Sequence, residues 1–156
     1  MAIWKLRAWL GYAVARWLLR FPSLVRNPRA WNWMQGQYAR QANLGNVAAQ
    51  RFYGHLLLHR GQGFGAREEG IRLLRLAGQA GDGKSAYQLG VLALAGDARQ
   101  APDAAQAAHW WSLAEQAGHP LAARKLADLY REGGPGLAAD VEAAERLDRR
   151  AAQLGL

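Results

Sequence analysis

The sequence contains no cysteine, two methionines and five prolines in 156 residues. The lack of cysteine excludes a disulfide framework, a thiol nucleophile and a thiolate metal site. It fits the cytoplasm and is also compatible with the periplasm. The sequence also lacks any alternating run of β-branched residues, so we expect no sheet.

Acidic residues are missing from the first part of the chain. Residues 1–67 contain ten Lys or Arg and no Asp or Glu, whereas residues 68–156 contain ten basic and twelve acidic residues. The formal net charge of +8 therefore comes wholly from the N-terminal part. Five of the seven tryptophans lie there too, at Trp4, Trp9, Trp17, Trp31 and Trp33. Such a basic, tryptophan-rich segment favours contact with a membrane surface, an acidic protein or nucleic acid.

Long hydrophobic runs are absent near the N-terminus. The uncharged run from Ala8 to Ala15 is eight residues long. A membrane-spanning helix needs about 20 such residues, and a signal peptide also needs a longer apolar core. We therefore predict neither a spanning segment nor a cleaved leader.

Residues 2–21 have the periodicity of an amphipathic helix that ends at Pro22. One face carries Ile3, Leu6, Leu10, Val14, Trp17 and Phe21. The other carries the residues that we predict to meet a membrane surface: Trp4, Lys5, Trp9, Tyr12, Arg16 and Arg20. The helix either caps the rest of the fold through its apolar face or lies in the membrane interface. Both interpretations hold together if the apolar face packs and the tryptophan-bearing face meets lipid.

The remainder of the chain repeats at a fixed interval. Glycine, alanine and a large apolar residue recur every 37 residues, at Gly81, Gly118 and Gly155, at Ala77, Ala114 and Ala151, and at Leu73, Trp110 and Leu147. Gly45 lies 36 residues before Gly81. A period of this length is typical of a solenoid in which each unit is a helical hairpin, here called helix A and helix B.

The shared positions resemble the Sel1-like repeat, a relative of the tetratricopeptide repeat. The middle unit has Ser85, Leu89, Gly90, Ala93, Gly96, Ala107, Trp110, Ala114 and Gly118; the third has Ala122, Leu126, Ala127, Tyr130, Gly133, Ala144, Leu147, Ala151 and Gly155. The first unit departs from the pattern at Arg60 and in the glycine-rich loop that follows. The resemblance implies an all-α, right-handed α-solenoid of antiparallel helix pairs. We expect an N-terminal cap over residues 1–45 and repeats over about 46–81, 82–118 and 119–156.

Helix A has one small position in each unit, occupied by Gly54, Gly90 and Ala127. Glycine in a helix interior costs about 1 kcal/mol relative to alanine. Its presence there indicates that helix B packs closely against this position.

The resemblance also implies an exposed, concave face along helix A. Aligned on the small position, this face consists of Arg51, His55, His59, Tyr87, Val91, Arg124, Asp128 and Arg131. It suits an acidic or amphipathic peptide. The alternative is that these side chains are simply solvated.

Other motifs have simpler explanations than chemistry. His55 and His59 have the spacing of a metal pair but no evident third ligand. Gly61–Gly65 lacks the preceding strand and following Lys of a phosphate loop. We expect Trp110 in the core and Trp111 partly exposed. We predict no catalytic residues, no cofactor and no metal.

These observations predict a non-catalytic adaptor that binds another protein, is cytoplasmic and is peripheral at the inner membrane through its first helix. A nucleic-acid-associated protein and a toxin-neutralising immunity protein are the alternatives. The acidic balance of residues 68–156 and the lack of a nucleic-acid motif count against the first alternative.

Overall fold

A computed structural model describes residues 2–153 and 155. Over those residues the regular secondary structure is entirely helical, apart from an isolated bridge between Gly134 and Leu137. The prediction of an all-α chain is confirmed. The helices of this part of the chain are α1 (Ala2–Leu18), α2 (Pro22–Val25), α3 (Pro28–Asn43), α4 (Val47–Arg60), α5 (Ala66–Gln79), α6 (Gly83–Ala95), α7 (Ala104–Gln116), α8 (Ala122–Glu132) and α9 (Val141–Gln153). Met1 and Leu156, the ends of the predicted cap and of the predicted third repeat, lie outside the described residues.

Short polar side chains start most of these helices. Asp103 accepts a hydrogen bond from the backbone N–H of Gln106 at 2.8 Å, and Asp140 accepts one from Ala143 at 2.9 Å. Asn27, Asn46 and Asp82 cap α3, α4 and α6 in the same way. Each cap satisfies a backbone donor that the helix itself leaves unpaired.

The 37-residue period appears directly in the backbone. Gly45, Gly81, Gly118 and Gly155 have φ values of 88°, 93°, 78° and 77°. Glycine adopts this left-handed conformation without the steric penalty of a Cβ, and so ends a helix readily. The residue after three of these glycines donates its N–H to a carbonyl five residues back, from Asn46 to Gln41, from Asp82 to Ala77 and from His119 to Ala114. The repeat predicted from spacing is therefore a repeat of turn geometry.

The chain divides into two compact units, Met1–Leu73 and Leu74–Leu156. The boundary falls within α5, whereas the predicted division followed the repeats; the repeat limits remain predictions. Unit 1 has a core in which α1 packs on α3 and α3 packs on α4. Its buried residues are Tyr12, Ala15, Met34, Tyr38, Ala42, Ala49 and Leu73.

The face of α1 that packs is the opposite of the expected one. Ala8, Tyr12 and Ala15 are at most 7% exposed, whereas Ile3, Leu6, Leu10, Val14 and Trp17 are 46–76% exposed. The expectation that the apolar face caps the fold was wrong. Small residues let α1 approach α3 so closely that a Cβ at Gly11 would lie 2.3 Å from the Gln37 side-chain oxygen.

The first helix also ends earlier than expected, at Leu18 rather than Phe21. Phe21 is extended, with φ −107° and ψ 102°, as residues before proline usually are. Pro22 then opens the four-residue helix α2 instead of ending α1.

Unit 2 contains two helix pairs, α6 with α7 and α8 with α9, and α7 also packs on α8. Gly90 of α6 lies beneath the indole of Trp111, where a Cβ would come within 2.3 Å of Nε1. Trp111 donates from Nε1 to the carbonyl oxygen of Tyr87 at 3.1 Å. Gly54 and Ala127 are also buried, so the small position of helix A is confirmed as a packing position.

Both adjacent tryptophans of α7 belong to the interior. Trp110 is 6% exposed, as expected, but Trp111 is only 3% exposed. The expectation that Trp111 would be partly exposed was wrong, because the missing side chain at Gly90 creates the space that its ring fills.

We predict that replacing Gly90 destabilises the protein. Alanine already meets the Trp111 ring, and Gly90→Leu should lower the free energy of unfolding by about 1–3 kcal/mol or more. Gly36 in α3 is the control, since a Cβ there would have no neighbour within 4 Å. Gly36→Ala should raise stability by about 0.5–1 kcal/mol. Denaturant unfolding of the full chain measures both, and an unchanged midpoint for Gly90→Leu contradicts the packing described.

Candidate functional site

The helix A surface of unit 2 is formed by α6 and α8. Both helices bury their small and aliphatic residues, among them Ala86, Leu89, Ala123 and Leu126. The predicted face residues lie on the remaining sides: Tyr87 is half-buried, and Val91, Arg124, Asp128 and Arg131 are exposed. The surface is thus aromatic and apolar on α6 and charged on α8.

An aromatic cluster anchors the α6 part of this surface. The ring of Tyr87 stacks on His119 with centroids 4.2 Å apart and planes 11° apart, and its other neighbour is Trp111, at 6.2 Å. His119 accepts a hydrogen bond at Nδ1 from the N–H of Leu121 at 3.3 Å. Burial, and then the nearby positive charge of Lys84, lower the pKa of His119. The site therefore favours the neutral imidazole.

Sequence reasoning did not single out His119, although a signal for it exists. It follows Gly118 just as Asn46 follows Gly45 and Asp82 follows Gly81. Those two residues cap helix A, and His119 instead offers a ring nitrogen to the second residue after it. The repeat therefore places His119 at the start of helix A, in the position that Asn46 and Asp82 occupy in the other repeats.

Ion pairs occupy the α8 part of the surface. Arg131 contacts Asp128 at 2.9 Å and Asp148 of α9 at 2.5 Å. All three side chains are about half exposed, so water screens these pairs and each contributes little stability. Two of the predicted face residues, Asp128 and Arg131, are thus engaged within the protein, and Arg124 is an exposed base beside them.

The predicted face residues of unit 1 lie on α4. Arg51 and His55 are half-buried, His59 is exposed, and the two imidazoles are parallel with centroids 6.1 Å apart. Among residues 2–153 and 155, no three His, Cys, Asp or Glu side chains lie close enough to hold a metal ion. Gly61–Gly65 joins α4 to α5, two helices, and so lacks the strand that a phosphate loop requires.

A shallow groove of about 330 Å³ runs along α1. It brings together four of the predicted membrane-facing residues and is lined by Trp9, Tyr12, Ala13, Arg16, Trp17 and Arg20. We call it the arginine groove, because Arg16 and Arg20 are its charged residues. The structure thus groups these side chains on one part of unit 1.

For one of these residues, Tyr12, the predicted position at the membrane-facing surface was wrong. It is 7% exposed, so it does not form part of the surface that we predicted to meet a membrane. Its ring packs edge-on against Tyr38 of α3, with centroids 5.0 Å apart. Burial first, and then Tyr12, raise the pKa of Tyr38 to about 12, because both disfavour the charged phenolate.

The other two predicted membrane-facing residues lie outside the arginine groove. Lys5 is exposed, and the guanidinium of Arg40 lies 5.7 Å from the ring centre of the exposed Trp4. No helix in the described part of the chain is long and apolar enough to span a bilayer.

Several solved structures resemble this chain, among them two repeat proteins. A protective antigen of uropathogenic Escherichia coli that displays an SLR fold superposes with a TM-score of 0.74 at 19% identity, over 96% of this chain and 31% of the antigen. A Sel1 repeat protein from Oxalobacter formigenes superposes with a TM-score of 0.64 at 28% identity, over 76% of this chain and 88% of that one. The chain has the fold of the Sel1-like repeat proteins. Its architecture is that of an α-solenoid, as the sequence resemblance implied.

Neither a family model nor a curated protein matches the sequence. The chain spans about a third of the length of the antigen. Solenoids of this kind are generally non-catalytic scaffolds whose extended surfaces bind other proteins.

We predict that His119 makes stability depend on pH. Because the folded protein favours the neutral ring, the unfolded chain binds more protons just below the ordinary histidine pKa of about 6.5. Stability should therefore fall as the pH is lowered through that value. His119→Phe keeps a ring on Tyr87 and should lose this component. Thermal unfolding at pH 7.5 and pH 5 measures this pH dependence. If the melting temperature falls equally between the two pH values in wild type and in His119→Phe, the assignment to His119 is contradicted.

Proposed function

We propose that the protein is a non-catalytic adaptor that binds another protein through the helix A surface of unit 2. The proposed partner is an acidic or amphipathic segment. Val91 and Tyr87 offer it apolar and aromatic contact, and Arg124 offers it a positive charge. Apolar contacts combined with a complementary charge are common where a helical or extended peptide binds to a helical scaffold.

One observation carries the proposal. On α6 and α8 the small residues and several leucines are buried, whereas Tyr87 and Val91 of α6 and the charged residues of α8 lie at the surface. Val91, an apolar β-branched residue in the middle of α6, is 36% exposed. An exposed apolar and aromatic patch with a charged border has the composition of a protein-binding surface.

We also propose that the adaptor is held at the cytoplasmic face of the inner membrane by α1. The support is the acid-free, basic and tryptophan-rich composition of residues 1–67 and the exposed apolar side chains of α1. An interfacial helix of this kind needs a large apolar face and basic residues beside it. Recruitment of a partner to a membrane surface would then be the outcome of having both surfaces in one chain.

The adaptor proposal predicts that cross-linking is specific to helix A. A photo-reactive amino acid at Val91 of the full chain should capture a discrete partner in the native cell. The same residue at Val141, an exposed valine at the start of α9, should not. Adding Arg124→Glu should reduce capture at Val91 about tenfold, since it reverses a charge facing an acidic segment.

Equal capture at Val91 and Val141, or none at either, contradicts the adaptor proposal. Undiminished capture after Arg124→Glu contradicts the acidic nature of the partner.

A further inference from the structure

The outward face of α1 is a continuous apolar stripe. We use this name for Ile3, Leu6, Leu10, Val14 and Trp17. At about 100° per residue, these positions lie within an arc of about 80°. The stripe is about 21 Å long and lies opposite the side on which α1 packs on α3. Its five side chains are 46–76% exposed, and at its end the ring of Trp17 contacts that of Phe21, with centroids 4.8 Å apart.

Basic residues border the apolar stripe on both sides. Arg7 lies at one edge of the stripe, whereas Lys5 and Arg16 lie about 80–100° beyond the other edge, on the tryptophan-bearing flank, and Arg20 follows the end of α1; all four are exposed. None of α1, α2 and α3 contains an acidic residue. Arg16, near the end of α1, and Arg20, in the turn that follows, both line the arginine groove together with Trp9 and Trp17. Because residues 1–67 contain no carboxylate, two guanidiniums in one groove favour binding of an anion, and phosphate oxygens match guanidinium geometry.

We propose that the apolar stripe inserts into a bilayer surface that contains anionic phospholipid, with Arg16 and Arg20 of the flanking arginine groove bound to lipid phosphates. This inference rests on the membrane tether proposed above and specifies its face and its lipid. The apolar stripe enters the acyl boundary, and the arginine side chains extend along it to the headgroups. The tryptophan-bearing flank, which the sequence analysis predicted to face the membrane, then lies at the level of the lipid headgroups.

Charge decides between a lipid surface and a second copy of this chain. Two α1 helices facing each other through the apolar stripe would bring the basic N-terminal parts of both chains together, with no acidic residue in residues 1–67 to offset their charge. Like charges at that distance destabilise an interface. An anionic bilayer instead neutralises every one of these bases and covers the apolar residues at the same time.

The test is binding of the full chain to vesicles of phosphatidylcholine with and without phosphatidylglycerol. Wild type should bind the anionic vesicles, with loss of binding at high salt and a blue shift of tryptophan emission. R16Q/R20Q should weaken binding about thirtyfold, the effect of two bases near an anionic surface. The matched control R146Q/R149Q removes the same charge from exposed sites on α9 and should bind like wild type.

A second pair of variants tests insertion separately from charge. L10Q/V14Q keeps every base but makes the apolar stripe polar, so we expect about tenfold weaker binding or more and no blue shift. L121Q/V141Q makes the same change at exposed apolar residues of unit 2 and should be neutral. Circular dichroism of each variant checks that the fold is retained.

Several outcomes would overturn the inference. The first is equal binding of wild type to both kinds of vesicle, and the second is equal binding by R16Q/R20Q and R146Q/R149Q. The third is a wild-type protein that binds no vesicles but forms a concentration-dependent dimer, which L10Q/V14Q abolishes. Fractionation of native cells separates this failure from failure of the tether itself. If wild type fractionates with the inner membrane but the vesicle variants have no effect, only the lipid-binding face is wrong; if it is wholly soluble, the tether proposal also fails.

Discussion

Close contact through small side chains is the constraint on which this structure depends. Gly90 lies directly beneath the Trp111 indole, and Ala127 and Gly54 occupy the same buried position in the neighbouring repeats. Helices that approach this closely exclude large side chains from their shared face. Each contact buries little apolar area, so stability accumulates over many neighbouring pairs, as expected for a repeat architecture.

The same constraint determines what the surface displays. When the side of a helix that carries its small residues faces the interior, the large residues on its other sides remain at the surface. On α6 this leaves Tyr87 and Val91 at the surface, and on α1 it leaves the whole apolar stripe there. The proposed protein-binding and lipid-binding surfaces are therefore two consequences of one packing rule, applied in unit 2 and in unit 1 separately.

Much of the fold was predictable because local chemistry fixes it. Glycine at a 37-residue interval marks left-handed helix ends, and Asp103 and Asp140 mark helix starts, whatever surrounds them. The packing face of α1 was not predictable from periodicity, since an amphipathic pattern identifies two faces without saying which one meets protein. Ala8, Gly11 and Ala15 were the missed signal. The exposure of Trp111 also depended on a distant residue, Gly90, which no local pattern connects to it.

The central claim is that the small faces of the helices point inward, and thiol labelling tests it most directly. Because the chain has no cysteine, each introduced cysteine reports one position without background. In the full folded chain, cysteine at Leu10 or Val14 should react nearly as fast as in the unfolded chain, and cysteine at Ala8 or Ala15 should be protected about a hundredfold or more. Protection at Leu10 and Val14 with rapid labelling at Ala8 and Ala15 would contradict the account.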